Sequence, residues 1–272
     1  MKRNNAQSGI ALRKGAELDG LREAGHTAAA VLLKTVSLVR PGISTGEIDA
    51  AAAQFMTDAG CRSAFLNYRG FPGQICISLN QEVVHGIGRP RRIIQNGDIV
   101  KIDVGIVKNG WIGDNATSVP VGAIRPEVHQ LLRATEESLH AAIALAQPGE
   151  MLRKVCGSVE ALVKRFGFTV VKQFVGHGLG RKLHEKPEVP NFDSGKIRTR
   201  LEPGMVIAIE PMVNMGSGEV EVLADRWTAV TRDGMPSSHF EHTVLITADG
   251  PEILTPRTRL TPPMQDVALL KA

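Results

Sequence analysis

The strongest constraint on how this chain folds is its internal repetition. Sliding the 272-residue sequence on itself by 107 residues lays Pro41 on Pro148, Gly42 on Gly149, Gly60 on Gly167, Gly97 on Gly204, Val100 on Ile207 and Asp103 on Glu210. Turn punctuation and embedded acids sharing one offset over that span point to a duplicated unit. In the first copy, apolar residues at Leu18, Leu21, Ala28, Leu32, Val36 and Val39 keep helical spacing and stop at Pro41-Gly42. Ser44 followed by Glu47 predicts a capping box for a second helix carrying Ile48, Ala51, Ala52 and Phe55, with Gly60 closing it. From Val100 to Val121 the texture turns to β-rich runs around Asn109-Gly110, a strong hairpin signal. The second copy repeats the order. Leu131, Leu132, Thr135, Leu139, Ala142, Ile143 and Ala146 mark a helix ending at Pro148-Gly149, another helix runs from Met151 toward Gly167, and strands follow. The expected class is therefore α+β, with two pseudo-symmetric helix-helix-strand halves, 16–124 and 125–255, framing a central cleft. No Pro/Gly/Ser linker separates them, so a single domain over 16–272 with a shared core is expected. Residues 1–15 read as a flexible segment, and the tail after Leu254, with Pro256, Pro262 and Pro263, reads as irregular.

Composition excludes several classes. With 43% hydrophobic and 22% charged residues the chain has ordinary globular chemistry, and its length supports a core without disulfide or zinc staples. The richest apolar run, Ala28 to Leu33, stops at Lys34, far short of a membrane span. Three cysteines, Cys61, Cys76 and Cys156, form no C-x-x-C pair and suit a reducing compartment. The basic N-terminus lacks the apolar stretch of a signal peptide, so a cytoplasmic address is expected. The net charge of +4 is scattered and aromatics are only 4%, which argues against a specific nucleic-acid partner.

Four acids sit where a solvated charge is out of place. Asp103 interrupts the apolar run 99–107, Glu210 interrupts 205–213 just ahead of Pro211, and Glu241 lies within 240–246. If Asn109 and Gly110 form a two-residue turn, residues whose numbers sum to 219 face each other, so Asp103 opposes Ala116 and Asp114 opposes Gly105. Both carboxylates then share one face as diagonal neighbours, within about 7–8 Å at Cβ. Such charges repel unless a proton or a cation sits between them. Lys101 shares the face of Asp103, but Glu210 and Glu241 have no nearby base, which makes divalent cations the simpler counter-charge. His177 and His184 come from a glycine-rich segment, 176–184, that lacks the Gly-Lys-Ser/Thr ending of a phosphate loop and reads better as close backbone approach to a metal cluster. Four carboxylates with an imidazole make a hard set suited to a pair of divalent ions, whereas structural zinc favours thiolates. Two ions about 3.5–4 Å apart polarise a carbonyl and supply hydroxide near neutral pH, so the expected reaction class is metal-assisted hydrolysis.

Taken together, the segments Asn67-Tyr-Arg-Gly-Phe-Pro72, Cys76-Ile-Ser-Leu-Asn80, Val83-Val-His-Gly86, Gly97-Asp-Ile-Val-Lys-Ile-Asp103, Gly113-Asp114, Gly176-His-Gly-Leu-Gly180, His184-Glu185, Pro203-Gly-Met205, Ile209-Glu-Pro-Met212 and Glu241-His242 resemble the type I methionine aminopeptidases of the M24 metallopeptidases, over nearly the whole chain after residue 15. The resemblance implies a pita-bread fold around a central antiparallel sheet and a dinuclear metal cleft. It implies that Asp103, Asp114, His177, Glu210 and Glu241 hold two divalent ions (Mn, Co, Fe or Zn), with Asp114 and Glu241 bridging. It further implies Glu210 as the proton-shuttling base, His184 as donor to the oxyanion, His85 at the scissile nitrogen, and Tyr68, Phe71, Cys76 and Trp227 around the methionine side chain. The substrates implied are nascent polypeptide N-termini whose initiator methionine precedes a small residue. A monomer is expected, and transient contact with the ribosome stays open.

Arg69, Asn115 and Leu183 depart from the residues common in bacterial members, while the five ligand positions are intact. A proline-directed aminopeptidase or dipeptidase of the same fold is the competing enzyme, disfavoured because such chains usually carry an additional N-terminal domain. A non-catalytic pita-bread binding module predicts eroded ligands, and two-metal phosphoester hydrolysis lacks its phosphate loop.

Overall fold

The computed structural model describes residues 9–259. The first half contributes α1 (Ala16–Val36), α2 (Thr45–Asp58), β1 (Arg62–Ser63), a 3-10 turn at Tyr68–Gly70, β2 (Cys76–Leu79), β3 (Glu82–Val84) and the long hairpin strands β4 (Ile99–Lys108) and β5 (Trp111–Pro120). The second contributes α3 (Pro126–Leu145), α4 (Leu152–Arg165), β6 (Thr169–Val170), β7 (Gly176–Gly178), β8 (Glu185–Val189), β9 (Val206–Ile209), β10 (Met212–Asn214), β11 (Val220–Val222), β12 (Ala229–Thr231), β13 (Ser237–His239), β14 (His242–Ile246) and β15 (Pro251–Ile253).

Local chemistry accounts for the helix boundaries. Ser44 caps α2 by accepting from the Glu47 N–H at 3.1 Å, and its own N–H donates back to the Glu47 carboxylate at 2.9 Å, so two orphan amides of the first turn are satisfied. Helix α1 ends at Val36, short of the expected Val39, because the Leu38 and Val39 amides bond to Thr35 O and Val36 O in a turn. The duplication is visible in the backbone. α2 and α4 begin and end 107 residues apart. Gly42 and Gly149, at φ 90° and 88°, donate to Ile94 O and Leu201 O at 2.9 and 2.8 Å, a pair again related by the same offset. These φ values strain any side chain, which explains the repeated glycines.

Among the described residues every strand pairing is antiparallel, and the strands form four ladders. The two larger ones are the first-half ladder β1-β4-β2 with β5 on β4, and the second-half ladder β15-β14-β9-β7-β8. They meet where β5 passes β14. One apolar cluster gathers around α1, α2 and the β4–β5 hairpin, and a second around α3, α4, β9 and β14. Val206, Ala208 and Leu245 from the second half sit in the first cluster and Ile99 in the second, so the halves interlock. Each half thus has an apolar cluster of its own, completed by a few residues of the other.

The expected flexible segment over residues 1–15 needs correcting at its C-terminal end. Ile10 is buried, and Arg13 donates its N–H to Gly204 O at 2.8 Å and its guanidinium to Glu185 at 2.7 Å. Residues 1–8 lie outside the described residues. The tail after Leu254 has no helix or strand through Arg259, yet Leu254 and Thr255 are buried; Pro262 and Pro263 lie outside the described residues. Among the described residues no helix is long and apolar enough to cross a membrane.

Candidate active site

Four carboxylates converge at the seam, each for a local reason. Asn109 and Gly110 both take positive φ, 51° and 78°, the geometry of a two-residue turn whose twist matches the strands it joins. The register that follows is the expected one, with Asp103 opposite Ala116 and Gly105 opposite Asp114. Cys76 of β2 lies opposite Asp103 on the other side of β4. In the second half, the β9–β14 ladder closes with Ile209 opposite His242, so Glu210 and Glu241 stand one step beyond its end. Pro211 has no N–H to carry the ladder on, and the Asn191 side-chain amide donates to Glu210 O at 3.0 Å instead. The seam is stitched by Glu241 N–H donating to Ala116 O at 2.9 Å, Asp114 N–H to Thr243 Oγ1 at 3.2 Å, and Thr243 O–H back to Asp114 O at 2.7 Å.

Asp103, Asp114 and Glu241 each present an oxygen within 4.8 Å of the others. His177 Nε2 lies 3.9 Å from Asp114 Oδ2 and 3.6 Å from Glu210 Oε1. Its Nδ1–H donates to Gly178 O at 3.0 Å, which leaves the Nε2 lone pair facing the acids. Burial, then the neighbouring Asp114 charge, pushes Asp103 well above the carboxylate range, and burial pushes Asp114 up to about 7. Burial followed by the Asp114 charge raises Glu210 and Glu241 well above that range as well, while burial lowers His177 to about 3, so its imidazole is neutral at pH 7. Like charges about 4 Å apart cost on the order of 4 kcal/mol per pair near a protein surface. A cation offsets that cost, and the buried Asp103 Oδ1, Asp114 Oδ1 and Glu241 Oε1 have no hydrogen-bond partner.

All eleven sequence-predicted site residues line one cavity of about 330 Å³. In its wall Phe71 meets Trp227 edge-on at 5.2 Å, and Cys76 is buried beside Asp103, its thiol held protonated by burial and by the Asp103 charge. His85, at φ 60°, stands edge-on to Phe174 at 5.3 Å and to Trp227 at 6.3 Å, and burial lowers it to about 4. His184 Nδ1 meets the Tyr68 hydroxyl at 2.8 Å, and its ring lies 4.2 Å from that of His177.

Three contributors escaped the sequence reading. His239 Nε2 faces Glu210 Oε2 at 3.6 Å with no hydrogen-bond partner, and burial lowers it to about 3; its place beside Phe240-Glu241 was the available signal. Arg257, from the irregular tail, donates to Glu241 O at 2.9 Å and Ala116 O at 2.7 Å, clamping the backbone behind two converging strands. Phe174 walls the pocket from a loop with no motif. Two expectations change. Lys101 turns away from Asp103, its buried ammonium donating to Asn80 O and Ser237 O at 2.7 and 3.0 Å and so tying the halves together. The glycines of 176–178 serve strand packing more than approach to a cluster, since a Cβ at Gly176 would strike Ala208 O and one at Gly178 would strike Lys186 O.

Comparison with known proteins agrees with this geometry. The model of metallopeptidase family M24 matches residues 19–248. The methionine aminopeptidase 1 of Bacillus subtilis (strain 168) is 46% identical over 88% of this chain and 96% of its own length. The chain belongs to the methionine aminopeptidases of family M24. The Escherichia coli (strain K12) member is 39% identical over 91% of this chain and 94% of its own. The crystal structure of the Thermotoga maritima methionine aminopeptidase superposes with a TM-score of 0.89 at 38% identity, covering 91% of this chain and 100% of that one. The prolidase of Pyrococcus furiosus, at 23% identity and a TM-score of 0.75, shares the fold over 93% of this chain and 67% of its own. Membership makes the chain a metal-dependent peptidase, and the orphaned carboxylate cluster suits that chemistry.

Proposed function

We propose that this enzyme hydrolyses the N-terminal methionine from nascent proteins and peptides with a small second residue, using two divalent ions held by Asp103, Asp114, His177, Glu210 and Glu241. The observation that carries the reading is one cavity lined both by an oxygen-rich cluster and by apolar and aromatic side chains. When bound, the ions supply Lewis acidity toward the scissile carbonyl and activate water near neutral pH. Phe71, Tyr68, Cys76 and Trp227 receive the methionine side chain, whose polarizable thioether gains from aromatic neighbours. Tyr68 donates its O–H to His184 Nδ1, so Nε2–H is left to donate to the oxygen of the tetrahedral species. Glu210, its basicity raised by burial, takes a proton from the attacking water and returns it to the departing amine. Neutral His85 contacts that nitrogen. Crowding of His184, Tyr68 and His85 around the exit favours a small second residue. Three free cysteines support a reducing, cytoplasmic setting, and we assign a monomeric state with at most transient ribosome contact.

Metal-dependent release of free methionine from Met-Ala-Ser tests this, with Met-Leu-Ser and Ala-Pro peptides as controls. Rapid release from Met-Ala-Ser, slow release from Met-Leu-Ser and none from Ala-Pro is expected. Preferred cleavage of the Xaa-Pro peptide would overturn the substrate assignment.

A further inference from the structure

Arg69 and Trp227 line the catalytic cavity and also an adjoining surface groove that Arg226 and Asp225 share. Arg69 is held at φ 50°, between Asn67 at 64° and Gly70 at 89°, in a turn closed by Asn67 N–H to Phe71 O at 2.8 Å and Gly70 N–H to Asn67 O at 3.2 Å. Left-handed backbone at two non-glycine residues is uncommon and costs free energy, so the turn fixes where this side chain starts. Its guanidinium lies over the Tyr68 ring at 5.3 Å, and that tyrosine's hydroxyl holds His184. Arg226, also at a positive φ of 65°, lines the same groove and is exposed. Asp225 does not neutralise the pair. Its carboxylate accepts from the Trp227 and Thr228 amides, the Thr228 hydroxyl and Arg89, the last at 3.0 Å. No carboxylate among the described residues forms an ion pair with Arg69 or Arg226.

We infer that Arg69 and Arg226 form a carboxylate-binding annex that selects acidic side chains at the third and fourth residues of the peptide. The inference rests on the hydrolytic reading above, which puts the scissile bond beside His184. The Tyr68 ring centroid stands 5.3 Å from that of His184 and 5.3 Å from the Arg69 guanidinium carbon, so the guanidinium lies within the reach of about three extended residues from His184. A carboxylate leaving the cavity along this wall meets a planar donor fork suited to bidentate pairing. An ammonium on the same path meets the like charges of Arg69 and Arg226, with the groove's carboxylate, Asp225, already engaged by Arg89 and the Trp227 and Thr228 amides.

The test uses the metal-loaded enzyme and C-terminally amidated Met-Ala-Glu-Glu-Ser, Met-Ala-Gln-Gln-Ser and Met-Ala-Lys-Lys-Ser, compared by kcat/KM at low and high salt. The expected result is that the Glu peptide exceeds the Gln peptide by about 3- to 10-fold, mostly through KM, with the Lys peptide lowest. The Glu-to-Gln ratio then falls toward one in an Arg69→Gln, Arg226→Gln double variant and at high salt. A ratio of one in the wild type, or a ratio that survives the double substitution, overturns the annex while leaving the hydrolytic reading intact. No methionine release from any of the three peptides overturns both.

Discussion

His184 receives three neighbours that fix its role: the Tyr68 hydroxyl at Nδ1, the His177 ring at 4.2 Å, and the positive Arg69, which together with burial keeps the imidazole neutral. A neutral ring held at one nitrogen directs the other into the cavity, and in the proposed mechanism its contribution belongs to the transition state and not to metal retention. His184→Ala is expected to lower kcat by about 10²- to 10³-fold while the Mn²⁺ affinity from calorimetric titration stays within about twofold. A loss of metal affinity matching the loss of kcat would contradict this. At this scale Asp103, Glu210 and Glu241 were legible because each interrupts an apolar run, where a bare charge is costly, and Asp114 because the hairpin register sets it beside Asp103. His239 was not, since its closeness to Glu210 arises only when β13 pairs with β10 and sets His239 opposite Met212.

Among the elements, the β4–β5 hairpin was the most legible, because Asn109-Gly110 sets the turn and a two-residue turn sets every pair above it. That arithmetic put Asp103 and Asp114 on one face before any tertiary contact was known. The second-half acids were harder to pair from sequence, since β9 and β14 are joined by a long excursion through β10 to β13. The tail was the least legible element. Residues 254–259 carry no periodicity, yet Arg257 is buried deeply enough that its guanidinium is lowered to about 10, and it clamps the carbonyls of Ala116 and Glu241. Arg257→Met leaves both carbonyls without that donor. It is expected to cost about 1–3 kcal/mol in denaturant unfolding and to weaken Mn²⁺ binding about tenfold, with unchanged metal affinity counting against the clamp.

Across the whole molecule, the 107-residue offset anticipated two halves, and the recurrence of helix ends, positive-φ glycines and the bridges Ser44–Ile93 and Met151–Arg200 bears the repetition out in three dimensions. The interlocking of the two apolar clusters was not visible in sequence, because periodicity reports which face is buried and not what covers it. A histidine pair, His242 buried and His140 half-buried, gives the molecule an acid sensitivity. His140 and His242 lie with rings 5.6 Å apart beside Arg257, and burial followed by the charges of Arg259 and Arg257 lowers His140 to about 4. A histidine with a lowered folded pKa binds its proton more readily when unfolded, so its contribution is intact above its ordinary value near 6.5 and is lost as pH falls toward 4. Thermal melts of the metal-loaded enzyme are expected to drop more steeply across that window than those of His140→Gln, and parallel curves would remove this histidine from the account. The most direct test of the central claim, that five side chains from both halves hold one pair of ions, is calorimetric titration of the metal-free protein with Mn²⁺. Two equivalents in the wild type, and fewer in Asp103→Asn together with lost methionine release, is the predicted outcome; two equivalents and near-normal release in Asp103→Asn would contradict it.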